Sequence, residues 1–315
     1  MSHPNAVDLQ PIVETAYKSG SACLGKGRVA AYIPALASTP PDQLGVSAMT
    51  LDGAIASSGD ADTPFSIQSI SKVFTLAMAL EDIGEPLWDS VGREPSGSKF
   101  NSIVQLESEA GRPRNPLINA GAIATTARLI ATEKAEQSIS RIESFMQTLA
   151  ADPSVQIDRT VAASESAAGA RNRSLAHFMS SFENLAQPVE TVLNVYFHQC
   201  ALSMSCRQLA RAGLFLANQG KDPLTGTQVV SPRHCQQINA VMMLCGHYDN
   251  SGEFAVRVGL PGKSGVGGGI LAIAPGRGTV AAWSPALNDA GTSFAGSAVL
   301  ESFVAGSNWS VFNAG

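Results

Sequence analysis

The sequence predicts an α+β fold: an antiparallel sheet flanked by helices, with an all-helical lobe inserted into it. Three observations carry that expectation. Strand patterns occur near the start of the chain and again beyond residue 253, with none between residues 81 and 220. That middle stretch instead repeats apolar residues at helical spacing, broken by Gly, Pro and Ser. Between the first strands and the helical stretch lies Val73 to Leu80, too densely apolar for a surface helix and therefore central. The expected units are a discontinuous α/β lobe of residues 1–80 and 221–315 and a helical lobe of residues 81–220, with a cleft between them.

The elements follow in order. Residues from about 7 to 30 read as an amphipathic helix, with Val7, Leu9, Ile12, Val13 and Tyr17 on one face, closed by the turn Gly25-Lys-Gly27. Leu44 to Leu51 and Ala54 to Ala56 flank Asp52-Gly53, a pair that supplies the positive φ angles of a tight hairpin. The central helix comes next, after Pro64. Helical patterns then run over Ala120 to Glu136, Ser138 to Ala150, Leu175 to Phe182, Pro188 to Ala201 and Ser205 to Asn218. Phe254 to Val258, Gly269 to Pro275 and Thr279 to Ser284 read as adjacent antiparallel strands, and Thr292 to Val304 as a closing helix.

Composition narrows the function. The net charge is −5 and the isoelectric point about 5.6, without a Lys/Arg run, which argues against nucleic acid as a partner. No apolar run reaches the ~18 residues needed to span a bilayer, and the first ten residues lack the basic and apolar regions of a secretory signal. The expectation is a cytoplasmic protein that handles a small molecule. Five cysteines without a C-x-x-C pair fit free thiols in a reducing compartment. The scattered histidines offer no ligand spacing, so neither metal nor cofactor is expected.

The chemistry is sought at the start of the central helix. Ser69 and Lys72 are three apart and share a face, so the lysine can approach the serine hydroxyl; a lysine in a dry pocket can lose its charge and act as a base. Ser-x-x-Lys is short, however, and recurs as Ser96-Gly-Ser-Lys99 in a turn-rich segment that reads as solvated loop. The ordinary alternative for Ser69 is a helix-starting serine. Lys263-Ser-Gly265 precedes an apolar strand, and its glycine-flanked edge would let a substrate approach the backbone, where a main-chain N–H could join that of Ser69 in an oxyanion hole. Tyr32 and Tyr248 lie among turn residues, where a phenol is either structural or, beside Lys72, a proton relay. Asn119 reads as a helix start and Glu165 as a solvated carboxylate when each is taken alone.

Together these residues resemble the serine-dependent glutaminases, which are related in fold to the penicillin-recognising serine enzymes. The likeness runs through Tyr32 to Ala37, Gln68 to Lys72, Asn115 to Ala122, Ser164-Glu165 with Arg171-Asn172, Tyr196 to Cys200, Cys245 to Asp249, Gly259 to Val266 and Trp283 to Pro285. It implies that Ser69 attacks the side-chain amide of L-glutamine, that Lys72 and Tyr248 handle the proton, and that the N–H groups of Ser69 and Val266 hold the oxyanion. It further implies that Tyr32, Asn119, Glu165, Asn172 and Tyr196 hold the substrate, that L-glutamate is the product, and that the protein is a homodimer or homotetramer. Where many relatives carry Gly-Asp-Arg-Asn, this chain has Gly169-Ala-Arg-Asn172. A penicillin-binding or β-lactamase-like acyl-transferase shares Ser-x-x-Lys and Lys-Ser-Gly. A catalytically silent glutamine-binding protein is the alternative from another class.

Overall fold

The structure, a computed structural model, describes residues 8–96, 103–131 and 134–313. The expected hairpin forms, with β1 (Gly45–Thr50) and β2 (Ile55–Gly59) turning at Gly53, whose φ is +90°. The short β3 (Phe65–Ser66) leads into the 3₁₀ turn Gln68–Ile70 and the helix Ser71–Ile83. β4 (Gln156–Ile157) and β5 (Leu202–Met204) pair with it in a three-stranded antiparallel sheet ordered β3-β5-β4. The larger sheet is completed by β6 (Gly262–Ser264), β7 (Gly269–Ala274) and β8 (Gly278–Trp283), in the order β2-β1-β8-β7-β6. Strands from the two ends of the chain therefore meet in one sheet, with Val46 opposite Ala282.

Helices cover both faces of this sheet. Gln10–Ser21 and Phe294–Ser307 pack together on one, and Cys206–Ala217 lies on the other against β1, β7 and β8. Every residue of β7 and β8 is consequently buried. That is why these strands read as continuous apolar or small-residue runs instead of alternating. Gly213 sets the spacing of the second face, since a Cβ there would lie 3.2 Å from Leu271 and 3.3 Å from Ile273. Beyond it, Ser71–Ile83 packs on Asn119–Leu129, while Val189–Cys200 packs on Ala135–Ala150 and Arg159–Ala167.

Several expectations are corrected. Phe254 to Val258 is not a strand: it falls in the helix Ser251–Arg257, where Phe254 is buried and Val256 is 85% exposed, so its apolar alternation does not follow burial. The edge position belongs to β6. The stretch 81–220 is not free of strands, because β4 and β5 lie within it; two- and three-residue strands have no periodicity to detect. The opening helix spans only Gln10–Ser21, with Val7 outside the described residues. The helix expected over Ala120 to Glu136 is two: Asn119–Leu129 ends well before the next begins at Ala135. Of the second Ser-x-x-Lys, Ser96 is described and donates to Gln105 Oε1 at 2.6 Å, while Lys99 lies outside the described residues.

Candidate active site

Ser69 sits in the 3₁₀ turn that precedes the central helix. A 3₁₀ turn has three residues per turn, so Ser69 and Lys72 still fall on one side. The turn begins at Gln68, whose φ of +51° is one that side chains other than glycine seldom adopt. Tyr248 opens a second 3₁₀ turn, Tyr248–Asn250, and its φ is +57°. Both residues that shape the immediate surroundings of the Ser69 hydroxyl are thus held in a left-handed conformation. Ser69 pairs with the Tyr248 phenol.

A cavity of about 270 Å³ opens above this pair. Tyr32, Ser69, Asn119, Glu165, Asn172, Tyr196, Tyr248 and Val266 all line it. They arrive from separate elements: Asn119, Glu165 and Asn172 at or near helix ends, Tyr196 from Val189–Cys200, and Val266 from the β6–β7 turn. Lys72 is buried and is not part of the cavity lining; it reaches the wall through Asn119, donating to its Oδ1 at 2.7 Å and to Leu117 O at 3.3 Å. Its Nζ is 5.8 Å from the Tyr248 ring centre and 6.0 Å from that of Tyr196. Asn119 Nδ2 in turn donates to Asn172 Oδ1 at 3.0 Å. With its oxygen engaged, Asn172 has amide N–H groups to offer an acceptor.

Taken alone, Asn119 reads as a helix start, as it is here, and Glu165 as a solvated carboxylate, which it is not. Asn119 does not cap its helix through its side chain; it is the first helical residue, and Asn115 Oδ1 instead accepts from the N–H groups of Leu117 and Ile118. Glu165 is not solvated but buried in the helix Arg159–Ala167. Burial raises its carboxyl to about 7, opposed by a hydrogen bond with Gln68 and by the charge of Lys72. Burial also lowers Lys72 to about 8, opposed by Cys200 and Glu165. The Tyr248 phenol is pushed up by burial, against its bond with Ser69.

The cavity wall also contains Gln68, Arg171 and Cys200, which residue-by-residue reading did not single out. A four-residue spacing from Tyr196 on one helix was the available signal for Cys200. Its thiol is raised to about 12, chiefly by burial, so it is no ready nucleophile. Ala170, the departure from the common Gly-Asp-Arg-Asn pattern, is exposed at the start of the helix Ala170–Ser181; Asn172 takes its orientation from Asn119 instead.

Lys263, also buried, donates to Gly246 O at 2.9 Å and Ser264 O at 2.6 Å, with Nζ 4.2 Å from the Tyr248 ring centre. The β6–β7 turn that follows lies close to the strand leading to Ser69: a Cβ on Gly267 would sit 2.1 Å from Ser66 O, and one on Gly265 2.4 Å from Ile67 O. Only glycine permits that approach. Among the described residues, no group of three or more His, Cys, Asp or Glu could hold a metal, and no helix is long and apolar enough to cross a membrane. The arrangement of hydroxyl, phenol and depressed lysine at a small cavity with several polar side chains in its wall suits acyl transfer from a compact amide.

Comparison with known proteins agrees in sequence and in fold. A family model described as Glutaminase matches residues 27–312. A glutaminase of Agrobacterium fabrum is 56% identical over 307 residues, covering 98% of this chain and 99% of its own. The solved structure of the probable glutaminase ybaS superposes with a TM-score of 0.93 at 41% identity, covering 99% of this chain and all of the other. The crystal structure of Mglu in its glutamate form gives a TM-score of 0.90 at 34% identity, over all of this chain and 71% of that one.

Proposed function

The chain belongs to the glutaminase family and hydrolyses L-glutamine to L-glutamate and ammonia, and we propose that it does so through a glutamyl ester on Ser69. The observation that carries this mechanism is the Ser69–Tyr248 pair at the base of the cavity, with Lys72 buried beside it. In acylation, Ser69 Oγ attacks the side-chain amide carbon and its proton passes through Tyr248 to the departing nitrogen, which leaves as ammonia. Lys72, lowered to about 8, changes charge near neutral pH and tunes this transfer. The N–H groups of Ser69 and Val266 receive the oxyanion; among the described residues Val266 N–H has no backbone acceptor of its own. Water then cleaves the ester, releasing glutamate and restoring the Ser69 hydroxyl.

The cavity wall accounts for the amino-acid end of the substrate. Glu165 pairs with the α-ammonium, whose charge replaces the solvation that burial removed, and Tyr32, Asn172 and Tyr196 serve the α-carboxylate beside Asn119. The glutamate form of Mglu supports a site that accepts this product. We divide the chain into a sheet lobe, 1–80 with 221–315, and a helical lobe, 81–220, with the cavity where they meet. Free thiols among the described residues support a cytoplasmic setting, and the family resemblance supports a homodimer or homotetramer, to be measured by light scattering. Ammonia release from glutamine tests the mechanism: Ser69→Ala is expected to lose it by at least about 10⁴-fold. A variant with wild-type turnover would overturn the assignment.

A further inference from the structure

The β6–β7 turn, Gly265 to Gly268, is a thin wall between two cavities. Val266 lines the substrate cavity on one side and, with Gly267, a second cavity of about 280 Å³ on the other. Such a turn, with a single side chain among glycines, has little intrinsic rigidity. Within the hairpin it is closed by Gly265 N–H to Gly269 O and Gly268 N–H to Gly265 O, both at 2.9 Å. From outside, the Trp283 indole N–H donates to Gly267 O at 2.9 Å. The same indole stacks on Phe65, with ring centres 5.0 Å apart and planes 5° from parallel. Phe65 lies in β3, four residues before Ser69.

We infer that Trp283 is a positioning residue for the oxyanion site: its indole N–H fixes the Val266 turn while its ring fixes the strand leading to Ser69, so that one side chain sets the spacing of the two N–H donors. The reason is geometric. The donors belong to segments that are distant in sequence, and where Gly265 and Gly267 meet Ile67 O and Ser66 O the contact prevents closer approach without preventing separation. The second cavity leaves room behind the turn for it to withdraw. Trp283 stands at the end of β8, opposite Gly269, and is buried, so its backbone is anchored by the sheet; the next residue, Ser284, donates its N–H to Gly268 O at 3.1 Å and fixes the far end of the turn, which leaves Gly267 and Val266 to the indole. The inference rests on the acyl-enzyme reading of Ser69.

Trp283→Phe keeps a ring for Phe65 and removes the N–H donor. A displaced oxyanion donor acts on the transition state, so kcat and kcat/KM are expected to fall together by about 10- to 100-fold, with KM within about twofold of wild type. Wild-type kcat, or a raised KM with kcat retained, would overturn the inference. If the phenylalanine variant does not fold, β-(3-benzothienyl)alanine at position 283 preserves the fused ring without the N–H. The same loss of kcat is expected, and undiminished turnover counts against the inference. Ser69→Ala assayed alongside separates the two readings: an active Ser69→Ala removes the acyl-enzyme mechanism itself. An inactive Ser69→Ala with a fully active Trp283→Phe removes only the role of Trp283.

Discussion

Lys72 and Lys263 are both buried and both approach the Tyr248 ring, yet their amines have different partners. Lys72 donates to a side-chain amide in the cavity wall and to one carbonyl. Lys263 donates to two main-chain carbonyls, tying the segment before Tyr248 to β6. Burial depresses both, and the charge of Lys72 depresses Lys263 further. A neutral amine still has two N–H donors, enough for both carbonyls, so the structural work of Lys263 does not depend on its charge. Lys72, at about 8, changes charge close to neutral pH, beside Asn119 and the ring of Tyr248, the proposed proton relay. Burial alone therefore does not distinguish the proposed catalytic role of Lys72 from the structural one of Lys263; the type of partner does.

The strongest way to break this comparison is to remove Lys72. Lys72→Met is expected to lower kcat by about 10³- to 10⁴-fold, and because it leaves Leu117 O and Asn119 Oδ1 without this donor it should also lower melting temperature by an amount comparable to Lys263→Met, far too little to account for the lost rate. Turnover within tenfold of wild type would show that Lys72 has no special share in the proton transfer. Next comes Tyr248→Phe, which separates the phenol from the ring. Its hydroxyl partner is Ser69, while Lys263 faces the ring, so kcat should fall by about 10²- to 10³-fold with little change in melting temperature. A large drop in stability with modest loss of rate would place the phenol's main role in packing.

The third prediction uses pH. On the proposed mechanism Glu165 is ionised when it pairs with the substrate ammonium and a neutral Lys72 favours proton transfer through Tyr248, so kcat/KM should rise with pH through about 7 to 8. Glu165→Gln should raise KM by about 10- to 100-fold, the value of a hydrogen bond to a charged group. It should also shift the remaining limb downward, because Glu165 holds the Lys72 pKa up. Stability should show opposite slopes. Between 4.5 and about 7 the folded chain holds the Glu165 proton more tightly than the unfolded chain, so this contribution declines as pH rises. Between about 8 and 10.5 the folded chain has already released the Lys72 proton, so that contribution grows with pH. Melting curves of Glu165→Gln that keep the wild-type acid slope would contradict the first assignment.

The smallest effect on rate is expected at Lys263. Lys263→Met takes the amine from Ser264 O and from Gly246 O, which keeps the Ser264 N–H at 3.3 Å, at a cost of about 1–3 kcal/mol for a buried group left unpaired. Melting temperature should fall, with turnover reduced by roughly tenfold or less. Loss of rate as large as that of Lys72→Met, with stability unchanged, would erase the distinction between the two lysines.

Much of this arrangement was legible in the chain. Asp52-Gly53 marked the β1–β2 hairpin, the density of apolar residues after Ser69 marked the central helix, and the resemblance selected side chains that line one cavity. Other features had no local signal. The left-handed backbone at Gln68 and Tyr248 is imposed by tertiary contacts on residue types that do not favour it. The buried setting of Lys263 had no local signal, because its carbonyl partners include Gly246, distant from it in sequence. Phe254 to Val258 misled because an exposed Val256 imitates the alternation of a half-buried strand.

The pairing of β1 with β8 also bears on how the chain acquires its shape. During synthesis, β1 and β2 emerge early, and the β1 edge carrying Val46 and Ala48 must wait for Ala282 and Val280, more than about two hundred residues later. Long loop closure makes that pairing slow, and an unpaired edge is a template for intermolecular association. Ser69, the proposed nucleophile, can therefore be translated, and its helix formed, well before the last strands complete the sheet and bring the Val266 turn to it. Assembly of the site is expected to be a late event, and the interval before it is when the nascent protein is most exposed to aggregation.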